Sequence, residues 1–319
     1  MTKRVLVTGA QGFVGSALFE RLKNDPAVDA VGSVRSAVPV GTVDAECYRA
    51  IGDIGPETNW STTLTDVDVV VHLAARAHVL NDTNTDPLAE FRRVNVDGAL
   101  ALARQAIAHG IKRFVFISSI GVNGSVTDRE AFSERSAPAP HADYARSKYE
   151  AEEALKDLVK TSSMELVIIR PPLVYAAHAP GNFRRLLKLV SLGIPMPFGR
   201  IDNRRTMIAL ENLADFIVTC VNHPAAANET FLVGDAEDFS ISEMVTLLAK
   251  GMQKRPVLLP VPALWLQSAA RLSGKQSLYT QLCCSLQVDS SKGHRLLGWT
   301  PPVNAQSALV EVGRKYIRG

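Results

Sequence analysis

The sequence predicts an α/β fold, a doubly wound parallel sheet with a smaller, mixed α/β C-terminal lobe. Three observations support it. Short runs of β-branched and aliphatic residues recur at 4–8, 30–34, 67–73, 114–117 and 166–170, each the length of a buried parallel strand. Helix-forming stretches separate them, the alternation that builds a sheet covered on both faces. Beyond residue 170 the alternation breaks down, and turn-rich segments such as Gly193-Ile-Pro-Met-Pro-Phe-Gly199 take its place.

The first run leads into Gly9-Ala10-Gln11-Gly12-Phe13-Val14-Gly15, and residues 16–23 continue with helical spacing. Glycines at a strand-to-helix turn let backbone approach a pyrophosphate, and the helix N-terminus offers N–H donors and a favourable dipole. Gly9, Gln11, Gly12, Phe13, Val14 and Gly15 are therefore the expected dinucleotide cradle. The second strand ends in Ser33-Val34-Arg35-Ser36, without an acid. A carboxylate there selects a free 2′-hydroxyl on the adenosine ribose, whereas an arginine accepts a 2′-phosphate. Arg35 thus favours NADP(H) over NAD(H), although stacking of Arg35 on adenine would admit either.

A third strand over 48–51 runs into Gly52-Asp53-Ile54. Asp53 and Ile54 are expected beside the adenine, with turn capping the alternative for Asp53. The fourth strand passes through His72 into Leu73-Ala74-Ala75, small residues that let the chain pass close to a cofactor. His72 and His78 are expected to be structural. A long helix over 91–109 carries Val94-Asn95-Val96-Asp97-Gly98.

The fifth strand ends in Ser118-Ser119, and after a polar loop Tyr144-Ala145-Arg146-Ser147-Lys148 opens a charged helix. Tyrosine and lysine four apart share one helix face, and a serine at a strand end can meet them across the loop. Such a set suits proton transfer coupled to hydride transfer at a carbinol or carbonyl carbon. The tyrosine is the acid or base, the lysine keeps its pKa low and the serine holds the substrate oxygen. Free tyrosine titrates near ~10. A lysine cation ~5 Å away would stabilise the phenolate by up to ~3 kcal/mol at an effective dielectric of ~20.

With 319 residues, 46% of them hydrophobic and 21% charged, the chain has the composition of a globular protein with ample core. A net charge of +3 argues against a nucleic-acid partner. Cys47, Cys220, Cys283 and Cys284 have neither metal-ligand spacing nor the look of a disulfide framework, so no metal and a reducing cytoplasm are expected. The N-terminus has no signal-peptide core, and no apolar run reaches the ~20 residues a membrane span needs. The apolar stretch 256–272 is interrupted by Pro260 and Pro262 and carries Gln267 and Arg271. A helix packed on the protein body is expected there, with a membrane-surface helix as the alternative.

Taken in order, Thr8 to Gly15, Gly52-Asp53-Ile54, His72 to Ala75, Val94 to Gly98, Ser118-Ser119, Tyr144-x-x-x-Lys148 and Arg170-Pro171 resemble the extended short-chain dehydrogenase/reductase family. The resemblance is to its nucleotide-sugar epimerases, dehydratases and reductases, and it runs from Val5 to about Trp299. It implies an NAD(P)-binding Rossmann domain over 1–170 and a substrate-binding lobe over 171–319, with segments near 205–220 and 229–235 returning to the first domain. It implies Ser119, Tyr144 and Lys148 as the catalytic set, with Leu73, Ala74, Ala75, Asn95, Ser118 and Pro171 also around the cofactor. It places Arg205 on a substrate diphosphate and Asn182 on the nucleotide or phosphate; a surface cation and a helix cap are the ordinary alternatives.

Departures from the family narrow the chemistry. Ile120 and Gly121 stand where 4,6-dehydratases carry an Asp-Glu pair, which disfavours dehydration. UDP-galactose 4-epimerases place a second arginine upstream of the segment matching Val288-Asp289; here Tyr279 is nearby, with Arg271 and Lys275 earlier. The expected activity is hydride transfer at C4 of a nucleotide-activated hexose, of UDP-N-acetylhexosamine type. Arg35 tips the balance toward a 4-keto-sugar reductase, with a UDP-glucose or UDP-GlcNAc 4-epimerase as the alternative. A sterol or flavonoid-type ketone, or a sugar on polyprenyl diphosphate, stands further back. A homodimer built on helices 91–109 and 144–160 is the expected assembly.

Overall fold

The computed structural model describes residues 2–36, 45–77 and 86–318; His78 lies outside them. The first half alternates strand and helix. In order it runs β1 (Lys3–Thr8), α1 (Phe13–Lys23), β2 (Val28–Val34), β3 (Tyr48–Ala50), β4 (Val69–His72), α2 (Pro87–Arg92), α3 (Gly98–Ala108), β5 (Arg113–Ile117), α4 (Asp143–Val159) and β6 (Glu165–Arg170). The second half contributes β7 (Leu173–Tyr175), α5 (Gly181–Leu192), β8 (Met207–Ala209), α6 (Leu210–Asn222) and β9 (Thr230–Leu232). It ends with α7 (Ile241–Gly251), α8 (Ala263–Leu272), α9 (Gln276–Cys283), α10 (Ser291–Leu297) and α11 (Ala305–Tyr316).

Seven strands form one sheet in the order β3-β2-β1-β4-β5-β6-β9, and every pairing is parallel. The order turns outward from β1 in both directions, to β2 on one side and β4 on the other. That reversal opens the crevice where such sheets bind ligands, beyond the strand carboxyl ends. Register keeps those ends level, with Thr8 opposite His72 and His72 opposite Phe116. Loops leaving β1, β4 and β5 therefore emerge side by side.

Each face of the sheet carries its own core. Val5, Val7, Val71 and Val115 pack with α1 and α6 through Leu18, Phe19, Leu213 and Phe216. Leu6, Val70, Phe114 and Phe116 pack with α3 and α4 through Leu102, Ala106, Ala151 and Leu155. Alternation of inward and outward side chains along each strand makes both faces apolar, so the strands read as continuous hydrophobic runs. A third core joins α5, α7 and α11 through Phe183, Leu187, Val245, Leu248 and Leu309. The short parallel pair β7-β8 lies apart from the main sheet.

The helix expected over 91–109 is instead three pieces. Asp86 caps α2 by accepting from the Ala89 N–H, with Pro87 at its first turn. Residues Arg93–Asp97 then wind as one π-helical stretch before α3 begins. Such bulges add a residue to the turn and re-aim side chains. Here Asn95 is turned inward and buried. Among the described residues no helix is long and apolar enough to cross a membrane.

Candidate active site

The glycine turn is closed around its own backbone. Gly9 has φ +68°, a conformation open to glycine. A Cβ on Gly15 would lie 2.0 Å from the Gly9 carbonyl oxygen, and one on Gly9 would lie 3.0 Å from Ala74 Cα. The Gly12 N–H donates to the Gly9 carbonyl at 2.8 Å. Helix α1 starts at Phe13 with no side-chain cap and no acid in its first turn. The Phe13 and Val14 N–H groups lie among its uncompensated N-terminal donors.

Thr8 pins the facing strand end. Its hydroxyl accepts the Leu73 and Ala74 N–H groups at 3.2 and 3.1 Å and lies 2.8 Å from His72 Nδ1. With both lone pairs used, the hydroxyl donates to Nδ1, which assigns the ring proton to Nε2. Burial, followed by the charge of Lys148, pushes the His72 pKa down to about 3, so the ring is neutral and structural.

Just beyond the end of β2 the structure gives Arg35 a partner. Arg35 Nε lies 2.9 Å from the Asp53 carboxylate, both side chains being largely exposed. An exposed pair of this kind holds little energy. It nevertheless sets a carboxylate against the guanidinium, so the arginine is not a free cation. Ile54 packs against Gly98, where a Cβ would come within 2.6 Å of its Cγ2.

At the end of β5 the two serines divide. Ser118 is buried, its N–H donates to the Ile169 carbonyl at 2.8 Å, and its hydroxyl has no hydrogen-bond partner among the described residues. The Ser119 hydroxyl accepts the Gly121 N–H at 3.1 Å and caps the short 3-10 turn Ile120–Val122. Gly121 is the spacer between Ser119 and α4: a Cβ there would sit 3.3 Å from Ser119 Oγ and 3.2 Å from Ala145 Cβ. The serine and the first turn of α4 are thus about one side chain apart. Pro171 joins the same loop, its carbonyl accepting the Ile120 N–H at 3.0 Å.

Tyr144 stands in the first turn of α4, half-buried, with its ring edge-on to Phe91 at 6.2 Å. Lys148, one turn on, is buried with Nζ 4.3 Å above the Phe116 ring, a cation–π geometry. Between them Ser147 donates to the Tyr144 carbonyl at 2.8 Å and accepts from Asn95 Nδ2 at 3.0 Å. The Asn95 amide also accepts the Arg76 N–H at 2.8 Å and donates to the Arg76 carbonyl at 3.1 Å. Asn95 therefore ties the segment after Ala75 to the catalytic helix, and no chemistry need be assigned to it.

Behind the lysine, Glu152 and Arg170 form a fully buried ion pair, with Arg170 Nε 2.9 Å from Glu152 Oε1. Arg170 also donates to Asn123 Oδ1 at 3.0 Å, joining α4, β6 and the loop after β5.

The electrostatics differ from the sequence expectation. Desolvation raises the Tyr144 phenol to about 12. Burial lowers Lys148 to about 7, opposed by the charge of Glu152. Burial outweighs lysine–tyrosine attraction in the protein alone, and drives both groups toward their neutral forms.

The two expected substrate residues meet on α9. Asn182, near the start of α5, hydrogen-bonds Gln281 Oε1 and accepts from Arg185 at 3.2 Å. Arg205 is half-buried and donates to the Cys284 and Thr280 carbonyls at 2.8 and 3.4 Å, capping the end of α9. Burial lowers its pKa. Residues 285–289 run on from there beside the loop after β5, the Thr127 N–H bonding the Ser285 carbonyl and the Phe132 N–H that of Gln287.

Sequence reasoning did not single out Thr8, Phe91, Phe116, Ser147 or Glu152. Ser147 was within reach, since it lies three residues after Tyr144 and faces the same turn. Phe91 and Phe116 carry no chemical signal, and only the fold brings their rings to the tyrosine and lysine.

A parallel sheet with a glycine cradle at its switch point, and a serine and a Tyr-x-x-x-Lys helix at the neighbouring strand end, define an enzyme of the extended short-chain dehydrogenase/reductase class. Within it, the chain belongs to the NAD dependent epimerase/dehydratase family, whose model matches residues 5–234. It is 44% identical over 322 residues to UDP-glucose 4-epimerase of Vibrio cholerae, covering 100% of this chain and 97% of that protein. It is 26% identical to N-acetyl-α-D-glucosaminyl-diphospho-ditrans,octacis-undecaprenol 4-epimerase of Escherichia coli O157:H7, covering 97% and 94%. Among solved structures it resembles UDP-glucuronic acid 4-epimerase from Bacillus cereus in complex with UDP-glucuronic acid and NAD. The TM-score is 0.77 at 25% identity, over 99% of each chain.

Proposed function

We propose that this enzyme is a UDP-hexose 4-epimerase that uses NAD, with UDP-glucose/UDP-galactose as the first substrate pair to test. The observation that carries the reading is 44% identity along the whole chain to UDP-glucose 4-epimerase of Vibrio cholerae. The lean toward an NADPH-dependent reductase is withdrawn. It rested on Arg35, which is paired with Asp53, and the relatives described above are 4-epimerases. The lipid-linked substrate has a relative at 26% identity, well below the nucleotide-sugar one.

The residues present fit a dinucleotide. Side chains at Gly9 and Gly15 would collide with the backbone of the turn and of Ala74, α1 offers uncapped N–H groups, and among the described residues the Ser118 hydroxyl is buried without a partner. NAD, when bound, supplies a hydride acceptor at the substrate C4, returns the hydride and adds a positive ring to the site. The Gly9–Gly15 turn and α1 hold the pyrophosphate; Leu73, Ala74, Ala75 and Pro171 line its path. Ser119 holds the substrate 4-oxygen. Tyr144 Oη takes the 4-hydroxyl proton and gives it back after the sugar has turned. Lys148 in its protonated form would hold the phenolate by charge, while Asn95 and Ser147 fix the helix turn that carries both. Arg205 and Asn182 are assigned to the diphosphate side, where α9 forms the wall.

The test is epimerisation of UDP-glucose, and separately UDP-GlcNAc, followed by NMR without added cofactor. Interconversion lost in Tyr144→Phe is the expected result. Stoichiometric oxidation of NADPH by a 4-keto sugar, with no epimer formed, would overturn the reading.

A further inference from the structure

The expectation that the 256–272 stretch packs on the body holds for one side of its helix and fails for the other. In α8 the partly buried Leu266 packs on the C-terminal core. Leu264, Trp265 and Leu272 are 74%, 71% and 91% exposed. With Ser268 and Ala269 they lie at i, i+1, i+4, i+5 and i+8, one outward stripe without an acid or amide. The helix is amphipathic with its apolar side turned to solvent.

The stripe continues onto its neighbours. Residues 196 and 257–259 pair as backbone, the Met196 N–H donating to the Val257 carbonyl and the Leu259 N–H to that of Met196, both at 2.8 Å. This joins exposed Leu192 and Ile194 to exposed Val257 and Leu259. On the other side α8 turns directly into α9, which adds exposed Leu278. Scattered exposed leucines are ordinary, but a contiguous group of this size marks an interaction surface.

Charge says what covers it. No Asp or Glu occurs from residue 166 to 201 or from 244 to 288. On these two stretches Arg184, Arg185, Lys188, Arg200, Lys250, Lys254, Arg255, Arg271 and Lys275 are all exposed, and among the described residues none is within ion-pair distance of a carboxylate. A second copy of this chain docked through the same patch about a two-fold axis would bring cations against cations. An anionic sheet of headgroups over an apolar layer matches both features, with tryptophan and leucine at the boundary and lysine and arginine on the phosphates.

We propose that α5, the 254–262 segment, α8 and α9 form a docking face for an anionic lipid bilayer. The same α9 holds Asn182 and Arg205 on its inner side, so one wall of the substrate cleft backs onto this face. The proposal rests on surface chemistry and stands whichever sugar is turned over.

The chain reports on its own docking, because Trp60 is fully buried, Trp299 is 8% exposed, and Trp265 alone among the three tryptophans is open. The intact protein is mixed with phosphatidylglycerol/phosphatidylethanolamine vesicles or with phosphatidylcholine vesicles. Expected are co-sedimentation and a blue-shifted tryptophan emission with the anionic vesicles only, both suppressed by high salt. Trp265→Phe keeps sedimentation and loses the emission shift. Leu264→Glu with Trp265→Glu weakens binding about 10²- to 10⁴-fold, the size expected for two buried apolar side chains, with epimerase turnover in solution unchanged. Protein that stays in the supernatant with anionic vesicles overturns the proposal. So does a lipid-free dimer in sedimentation velocity that Leu264→Glu dissociates.

Discussion

Tyr144 and Lys148 are held by burial in forms opposite to those that proton abstraction needs. With the phenol at about 12 and the amine one helical turn on at about 7, both favour their neutral forms, and added positive charge would be needed for the phenol to act as a base. Tyr144→Phe keeps the ring against Phe91 and removes the proton carrier, so kcat should fall about 10²- to 10⁴-fold while cofactor binding measured by fluorescence is unchanged. Asp53 decides a second matter. Replacing Asp53 by Asn frees Arg35, and the ratio of NADP to NAD affinity, measured by titration calorimetry, should rise severalfold. Both residues are legible in sequence as types. Their partners are not, because Phe91 is 53 positions from Tyr144 and the pairing of Arg35 with Asp53 spans a chain reversal.

The elements matter where they depart from regular geometry. The π-helical stretch Arg93–Asp97 turns Asn95 inward, where it makes three hydrogen bonds to Arg76 and Ser147. Asn95→Ala leaves the half-buried Arg76 backbone and the buried Ser147 hydroxyl each short of a partner. The cost should be about 2–4 kcal/mol in urea unfolding, from two or so unsatisfied groups at 1–3 kcal/mol each. Turnover should fall with little change in KM, because the asparagine positions α4 without touching substrate. In the glycine turn, Gly15→Ala would drive a methyl into the Gly9 carbonyl. Loss of NAD binding is expected there, checked by the cofactor content of the purified variant. Sequence periodicity reads 91–109 as a single helix because one inserted residue barely disturbs an apolar pattern. A hydrogen-bond shift within the turn leaves no compositional trace.

At the scale of the whole molecule, the sheet assembles the site by bringing the ends of β1, β4 and β5 to one edge, and the C-terminal segment 285–289 lies along the loop after β5. The buried bases also link the fold to pH. His72 and Lys148 both have folded pKa values below their ordinary ones, about 3 against 6.5 and about 7 against 10.5. The unfolded chain therefore binds more protons in both windows, and stability rises with pH through each, by at most about 1.4 kcal/mol per unit per group. Urea unfolding should show a gain between pH 7.5 and 9 that Lys148→Met abolishes. An unchanged gain in that variant would assign it to other groups.

The sequence by itself determined the alternation of strands and helices, the glycine cradle, and the serine, tyrosine and lysine of the candidate site, because these are set by local periodicity and by residue type at fixed spacing. It also carried the choice between reductase and epimerase as far as one arginine could take it, toward a reductase, a lean the relatives do not support. Only the tertiary structure decided what each group faces. It paired Arg35 with an acid, half-buried Tyr144 and buried Lys148, widened the helix into a π turn at Asn95 and left the apolar side of α8 in water. Charge compensation, desolvation and exposure depend on neighbours distant in the chain, and no local pattern encodes them.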